Sequence, residues 1–222
     1  MRPCTCEEQH VRKRIVLTGG PGAGKTAVLE LVRQFFCQHI EVLPEAASIL
    51  FGGGFPRGEA PGERRAMQRA IYYVQRELER FANEAGSPPI VLCDRGTVDG
   101  TAYWPGPGEL WAEVGTSLDE ELARYDAVLH LRTPSVGSGY NHSNPVRVES
   151  AAEAACIDER ILRAWERHPR RYVVESAMDF LEKAHRAIEV LRGELPPCCQ
   201  GHLLRVPEPE LVEQSRGESS NH

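Results

Sequence analysis

Five short apolar runs recur along the chain: residues 14–18, 40–43, 90–93, 127–131 and 171–174. Each is four or five residues long and rich in Val, Ile and Leu. That length and content predict buried strands. Longer stretches between them carry apolar residues at helical spacing. In residues 27–37 these are Val28, Leu31, Val32 and Phe35. In residues 63–85 they are Met67, Ile71, Val74, Leu78 and Phe81, a stripe expected to pack into the core. In residues 149–168 they are Ile157, Ile161, Ala164 and Trp165, and in residues 178–195 Leu181, Ala184, Ile188 and Leu191. Short helices are expected at 46–51, 97–103, 110–114 and 118–124, the last capped by Ser117. Strand alternating with helix predicts an α/β fold, a parallel sheet covered on both faces in a three-layer α/β/α sandwich.

Breaks in the pattern set the loops. Residues 52–62 hold five glycines and two prolines and read as a flexible loop. Residues 133–144 are rich in Gly, Ser, Asn and Pro, and Arg147 follows them. That composition predicts a lid that orders when a ligand binds. The polar segment 1–12 and the segment 196–222 read as tails flanking one domain, residues 13–195, with disorder expected over 200–222.

Between the first strand and its helix stands Gly19-Gly20-Pro21-Gly22-Ala23-Gly24-Lys25-Thr26, the pattern G-x-x-x-x-G-K-T. Glycines let the backbone curl round a polyphosphate, and the helix adds its positive end. Lys25 carries a mobile charge suited to β- and γ-phosphates, and the Thr26 hydroxyl suits Mg²⁺. A Gly-rich turn before an ordinary helix would leave Lys25 and Thr26 unexplained. The third apolar run ends in Asp94-Arg95-Gly96. A buried strand that delivers a carboxylate beside the loop is suited to hold Mg²⁺, so Thr26 and Asp94 are the candidate metal residues. Arg95 reads equally as a phosphate-facing cation or as a surface residue paired with a carboxylate. His130, inside an apolar run, reads as a core or sheet-edge residue.

The 222 residues suit one α/β domain. Net charge is −6 and the pI about 5.8, which argues against a broad nucleic-acid footprint. No run is long enough to span a membrane, and residues 1–12 lack the apolar core of a secretory signal. A cytoplasmic location with reduced thiols is therefore expected for the seven cysteines. Cys37, Cys93 and Cys156 read as packing residues. The pairs Cys4/Cys6 and Cys198/Cys199 could meet as a four-thiolate metal site, although their spacing fits no common zinc pattern.

Three further pieces accompany the phosphate loop: Leu43-Pro44-Glu45-Ala46-Ala47, then Cys93-Asp94-Arg95-Gly96 with Asp99-Gly100-Thr101-Ala102-Tyr103, then Val146-Arg147-Val148-Glu149-Ser150-Ala151. Over residues 13–191 the chain resembles an AAA-labelled ATPase family. That family groups the kinase domain of bacterial ribosylnicotinamide kinases with an animal GTP-binding trafficking protein. The resemblance implies a kinase-type phosphate-loop core with strand order 2-3-1-4-5, and ATP or GTP with Mg²⁺. It puts Glu45 where related nucleoside and metabolite kinases place an acceptor-side carboxylate; the plain alternative is an N-cap of the next helix. Ribosylnicotinamide kinases usually add an adenylyltransferase domain, for which 222 residues leave no room.

Two functions follow. The first is a Mg²⁺-dependent kinase acting on a small nucleoside-like or other metabolite acceptor. It would use Lys25, Glu45, Asp94, Arg95 and Arg147 in catalysis, and the phosphate loop with Arg132 in nucleotide binding. The second is a nucleotide switch that regulates a protein partner with little turnover.

Overall fold

The protein was analysed as a computed structural model that describes residues 6, 10–86, 88–134, 150–177 and 179–200. Arg147, nearly all of the expected lid, Cys4 and residues 201–222 lie outside the described residues. The strands are β1 (Lys13–Thr18), β2 (Ile40–Leu43), β3 (Ile90–Asp94), β4 (Ala127–Leu131) and β5 (Arg171–Val174). They form one parallel sheet in the order β2-β3-β1-β4-β5. This is the expected α/β/α sandwich in the order that the family resemblance implied.

Side chains of β1 alternate between two cores, as strand geometry requires. Ile15 and Leu17 pack with Val28, Leu29 and Val32 of α1 (Lys25–Phe35) and with Ala184, Ala187 and Leu191 of α7 (Phe180–Glu194). Val16 points to the other face. There it packs with Val98 of a 3-10 helix (Thr97–Tyr103), Tyr72 of α3 (Pro61–Glu84), and Ile161 and Trp165 of α6 (Ala151–Ala164) and its end. Short helices α2 (Ala46–Gly52), α4 (Leu110–Val114), α5 (Leu118–Leu122) and α8 (Pro197–Gln200) complete the described chain. Among the described residues no helix is long and apolar enough to cross a membrane.

Two expectations about α3 change, and Leu181 of the stripe expected in the last long helix is exposed. Helix α3 begins inside the expected glycine-rich loop, because Pro61 suits the first helical position and Glu63 accepts the Ala60 N–H at 3.0 Å. Its buried face is also not the apolar stripe. Phe81 is 68% exposed, and Met67, Ile71, Val74 and Leu78 are only half-buried. The face turned inward carries Gln68, Tyr72, Gln75, Glu79 and Ala82. The physical reason is a set of partners that arrive from distant elements. Glu79 accepts from Tyr125 Oη at 2.8 Å, from Gln75 Nε2 at 2.9 Å and from Arg124. Glu121 accepts from Tyr72 Oη at 2.9 Å, Thr97 Oγ1 at 2.7 Å and Arg76 at 3.0 Å. A buried carboxylate supplied with such donors is tolerated where an isolated one is not.

Candidate functional site

The C-terminal ends of β1, β2, β3 and β4 deliver the loop at 19–24, Glu45, Asp94 and Arg132 to one edge of the sheet. In such a sheet that edge is where ligands bind. The loop runs into α1, whose first N–H groups have no partner within the helix. Gly24 caps α1 at φ 92°, a left-handed conformation, and a Cβ there would lie 2.6 Å from the ring of Phe180. Gly20 is tight for another reason: its N–H donates to Asp158 Oδ1 at 2.8 Å, and a Cβ would lie 2.7 Å from that residue's own Cβ.

Lys25 does not extend into solvent. It folds back, half-buried, and donates to the carbonyls of Gly19 at 3.1 Å and Gly20 at 3.4 Å. Burial, together with the positive charge of Arg95, lowers its pKa to about 8, against the pull of Asp94, Glu45 and Asp99. Thr26 is exposed at the start of α1.

Asp94 pairs in register with Leu17 of β1. Its Oδ1 is buried and has no hydrogen-bond partner. Burial raises the Asp94 pKa; Lys25 opposes this, and Glu45 adds to it. An orphaned carboxylate oxygen of this kind suits a hard cation that would supply the missing charge. The residues present therefore fit Mg²⁺, with Asp94 and Thr26 as the groups that could hold it directly or through water.

Arg95 turns back at φ 72°, the one non-glycine residue in the left-handed region among the described residues. Its N–H donates to Leu17 O at 3.0 Å. Its Nε donates to Glu45 Oε1 at 2.7 Å, and its guanidinium lies 3.5 Å from Asp99. Of the two readings open for Arg95, the carboxylate pair is present, but it faces the site and not the surface. Glu45 begins α2 without a side-chain capping bond. Its other oxygen accepts from Ser48 Oγ. Burial opposes ionisation of Glu45, yet Arg95, Ser48 and Lys25 outweigh it and hold its pKa below the usual carboxylate value.

Three residues without an assigned role in the sequence stand behind the loop. Asp99 is buried and accepts from Thr18 Oγ1 at 2.8 Å and from Trp165 Nε1 at 2.6 Å. Asp158 is buried against His130 Nε2 at 2.9 Å and Arg132 at 3.2 Å while it holds Gly20. Lys183, 3% exposed, donates to Ala23 O at 2.8 Å and to Arg132 O. Burial lowers the Lys183 pKa to about 8, against Asp158 and Glu175. A signal for Asp158 does exist in the sequence. It falls in the run Ala154, Asp158, Ile161, Trp165, at spacings that mark one buried helix face. His130 is fully buried, as a core residue, against Asp158. Arg132 reaches Asp158 and Glu159, both at 3.2 Å, at the rim of the loop.

Comparisons with known proteins agree with this geometry. No curated protein matches the sequence. A thymidylate kinase from Candida albicans is similar in structure at a TM-score of 0.54 and 13% identity, over 84% of this chain and 94% of that one. A NadR protein solved in complex with NR is similar at a TM-score of 0.64 and 16% identity, over 90% of this chain. The chain spans 55% of the NadR chain. At these identities the likeness concerns the fold, a kinase-like phosphate-loop core. Residues 14–183 match the family model of the AAA domain, and the chain belongs to that family.

Proposed function

We propose that the protein is a Mg²⁺-dependent phosphotransferase that moves the γ-phosphoryl group of ATP or GTP to a hydroxyl of a small nucleoside-like metabolite. The observation that carries this reading is the orphaned Asp94 oxygen beside Lys25, with Glu45 and Arg95 on the same edge. The thymidylate kinase and NadR likenesses support it through the fold.

The loop and the N-terminus of α1 bind the polyphosphate. Lys25 exchanges two loop carbonyls for phosphate oxygens. Bound Mg²⁺ supplies charge neutralisation on those oxygens. Arg95, held by Glu45 and Asp99, presents a fixed cation toward the acceptor side. Glu45 orients the acceptor hydroxyl once Ser48 and Arg95 share it with the substrate. Asp158 and Lys183 keep the loop in shape.

A second reading draws on the same Glu45. Its two oxygens are taken by Arg95 and Ser48, and its pKa is held down, which makes it a weak base. A nucleotide switch acting on a protein partner needs no base at that position.

Incubation with Mg²⁺ and ATP or GTP, followed by candidate nucleosides, tests both readings. Thermal shift reads nucleotide binding by mass action, and product analysis reads transfer. The kinase reading expects transfer that Glu45→Gln reduces by ~10², the lower end of the range for acid–base assistance, at nearly unchanged nucleotide affinity. Stabilisation by triphosphate without transfer to any acceptor favours the switch, and no stabilisation by any triphosphate overturns both.

A further inference from the structure

The strongest unassigned feature lies at the opposite edge of the sheet, where the strands begin. His39 immediately precedes β2, and its carbonyl accepts the N–H of Ile90, the first residue of β3, at 3.0 Å. Around it gather Cys6 and His10 from the segment before β1, Cys37 from the turn after α1, and Cys198 and Cys199 from α8. Six cysteines lie among the described residues, and four of them meet here. The phosphate site uses none of them.

We propose that Cys6, His10, His39 and Cys198 form a tetrahedral zinc site that fastens the segments flanking the domain to the start of the sheet. The donor atoms of these four residues all lie within 4.8 Å of one another. His10 Nε2 stands 3.3 Å from Cys6 Sγ and 3.2 Å from Cys198 Sγ. A sulfur at about 2.3 Å and a nitrogen at about 2.0–2.1 Å from one tetrahedral ion stand about 3.6 Å apart. The separations within the cluster are therefore close to those the ion would impose.

The chemistry selects the ion. Two thiolates and two imidazoles in a four-coordinate set suit Zn²⁺ and not Mg²⁺ or Ca²⁺. Two thiolates neutralise the dication, so the filled site carries no net charge into its half-buried position. Binding releases the two thiol protons to solvent. Cys199 Sγ, 2.8 Å from His39 Nδ1, and Cys37 Sγ, 3.5 Å from the same nitrogen, are buried outer partners that orient the His39 ring. Four protein ligands close the site, which makes it structural and not catalytic. The ligand set is mixed and not the four-thiolate one that the two cysteine pairs could have made. Tertiary structure brings two histidines to Cys6 and Cys198, whereas Cys4 lies outside the described residues.

The test uses the reduced full-length chain. Metal analysis after purification in zinc, and titration of the chelator-stripped protein with Co²⁺, read occupancy and geometry. The expected result is one equivalent of metal, with the intense visible bands of tetrahedral cobalt and thiolate-to-cobalt charge transfer. Cys198→Ser and His10→Ala each weaken cobalt binding by more than about tenfold, the least that even outer partners contribute. Cys199→Ser retains the tetrahedral spectrum, and so does Cys156→Ser at an exposed position away from the cluster. Circular dichroism confirms that each variant is folded. Absence of a tetrahedral cobalt spectrum in the folded wild-type chain overturns the site. Loss of the spectrum in Cys199→Ser with retention in Cys198→Ser overturns the ligand set.

Discussion

Asp94 and Glu121 are both carboxylates drawn away from water, and they are kept in opposite ways. Glu121 is fully buried, and Tyr72, Arg76, Thr97 and Arg124 surround it. Asp94 has a buried oxygen with no partner at all. Both Glu121 oxygens are supplied with donors from the chain itself. The Asp94 region is left incomplete, and desolvation there raises the carboxyl pKa. A satisfied buried charge marks structure, whereas an unsatisfied one at the edge of a parallel sheet marks a place for something from outside.

The largest expected effect breaks the Glu121 side. Glu121→Ala leaves Arg76, Arg124, Tyr72 and Thr97 without their common acceptor. Removing one partner of a buried ion pair costs about 3–5 kcal/mol. For a chain of this size that is a fall in Tm of roughly 6–20 °C. Differential scanning calorimetry without ligand checks this. A change below about 3 °C would mean that the network is no more than a solvated surface pair.

Lys25→Ala acts on the other side and reverses the pattern. Charge-assisted bonds to phosphate vanish, and triphosphate affinity should fall by at least ~10², about 2.7 kcal/mol. The ligand-free Tm should hardly move, because Lys25 contacts only two loop carbonyls. Calorimetric titration beside a melting curve separates the two readouts.

A pH series sharpens the same contrast without a mutation. Burial lowers the Lys25 pKa to about 8 in the protein without nucleotide. Bound phosphates favour its charged form, so its pKa in the complex is higher. Between the two values binding takes up one proton, and affinity falls as pH rises above about 8. The limit is tenfold per pH unit. Triphosphate Kd at pH 7 and pH 9 should differ by about tenfold, and the difference should disappear in Lys25→Ala.

The smallest effect is that of Asp94→Asn. It removes a charge that burial disfavours more than Lys25 and Arg95 support it, so ligand-free stability should be equal or slightly higher, by about 0–1 kcal/mol. Mg²⁺-dependent nucleotide affinity should fall several-fold, with Mg²⁺-free affinity nearly unchanged. Equal losses with and without Mg²⁺ would move Asp94 to the structural side of the comparison.

Much of the fold was legible because its signals are local. The five β-branched runs and the loop at 19–26 each announce themselves within about ten residues. Their alternation leaves few topologies, given right-handed crossovers. The strand order came from the resemblance, not from periodicity. The site was legible where a residue ends a strand, as Asp94 does; Glu45, two residues past β2, was named from the resemblance. It was not legible where a residue acts from behind. Asp158 reaches Gly20 across 138 positions, and Lys183 reaches Ala23 across 160.

Sequence by itself therefore determined the parallel sheet, the phosphate loop and the edge of the sheet at which it opens. Hydrophobic period and turn chemistry depend on near neighbours, and near neighbours are what a sequence displays. Tertiary structure alone decided which face of α3 turns inward, which partner holds Glu45, and which cysteines meet histidines. Met67, Ile71, Val74, Leu78 and Phe81 look like a core stripe until Arg124 and Tyr125 arrive beside Glu79. Burying a carboxylate becomes tolerable only when its donors are supplied, and these come from 45 and 46 residues away in the chain.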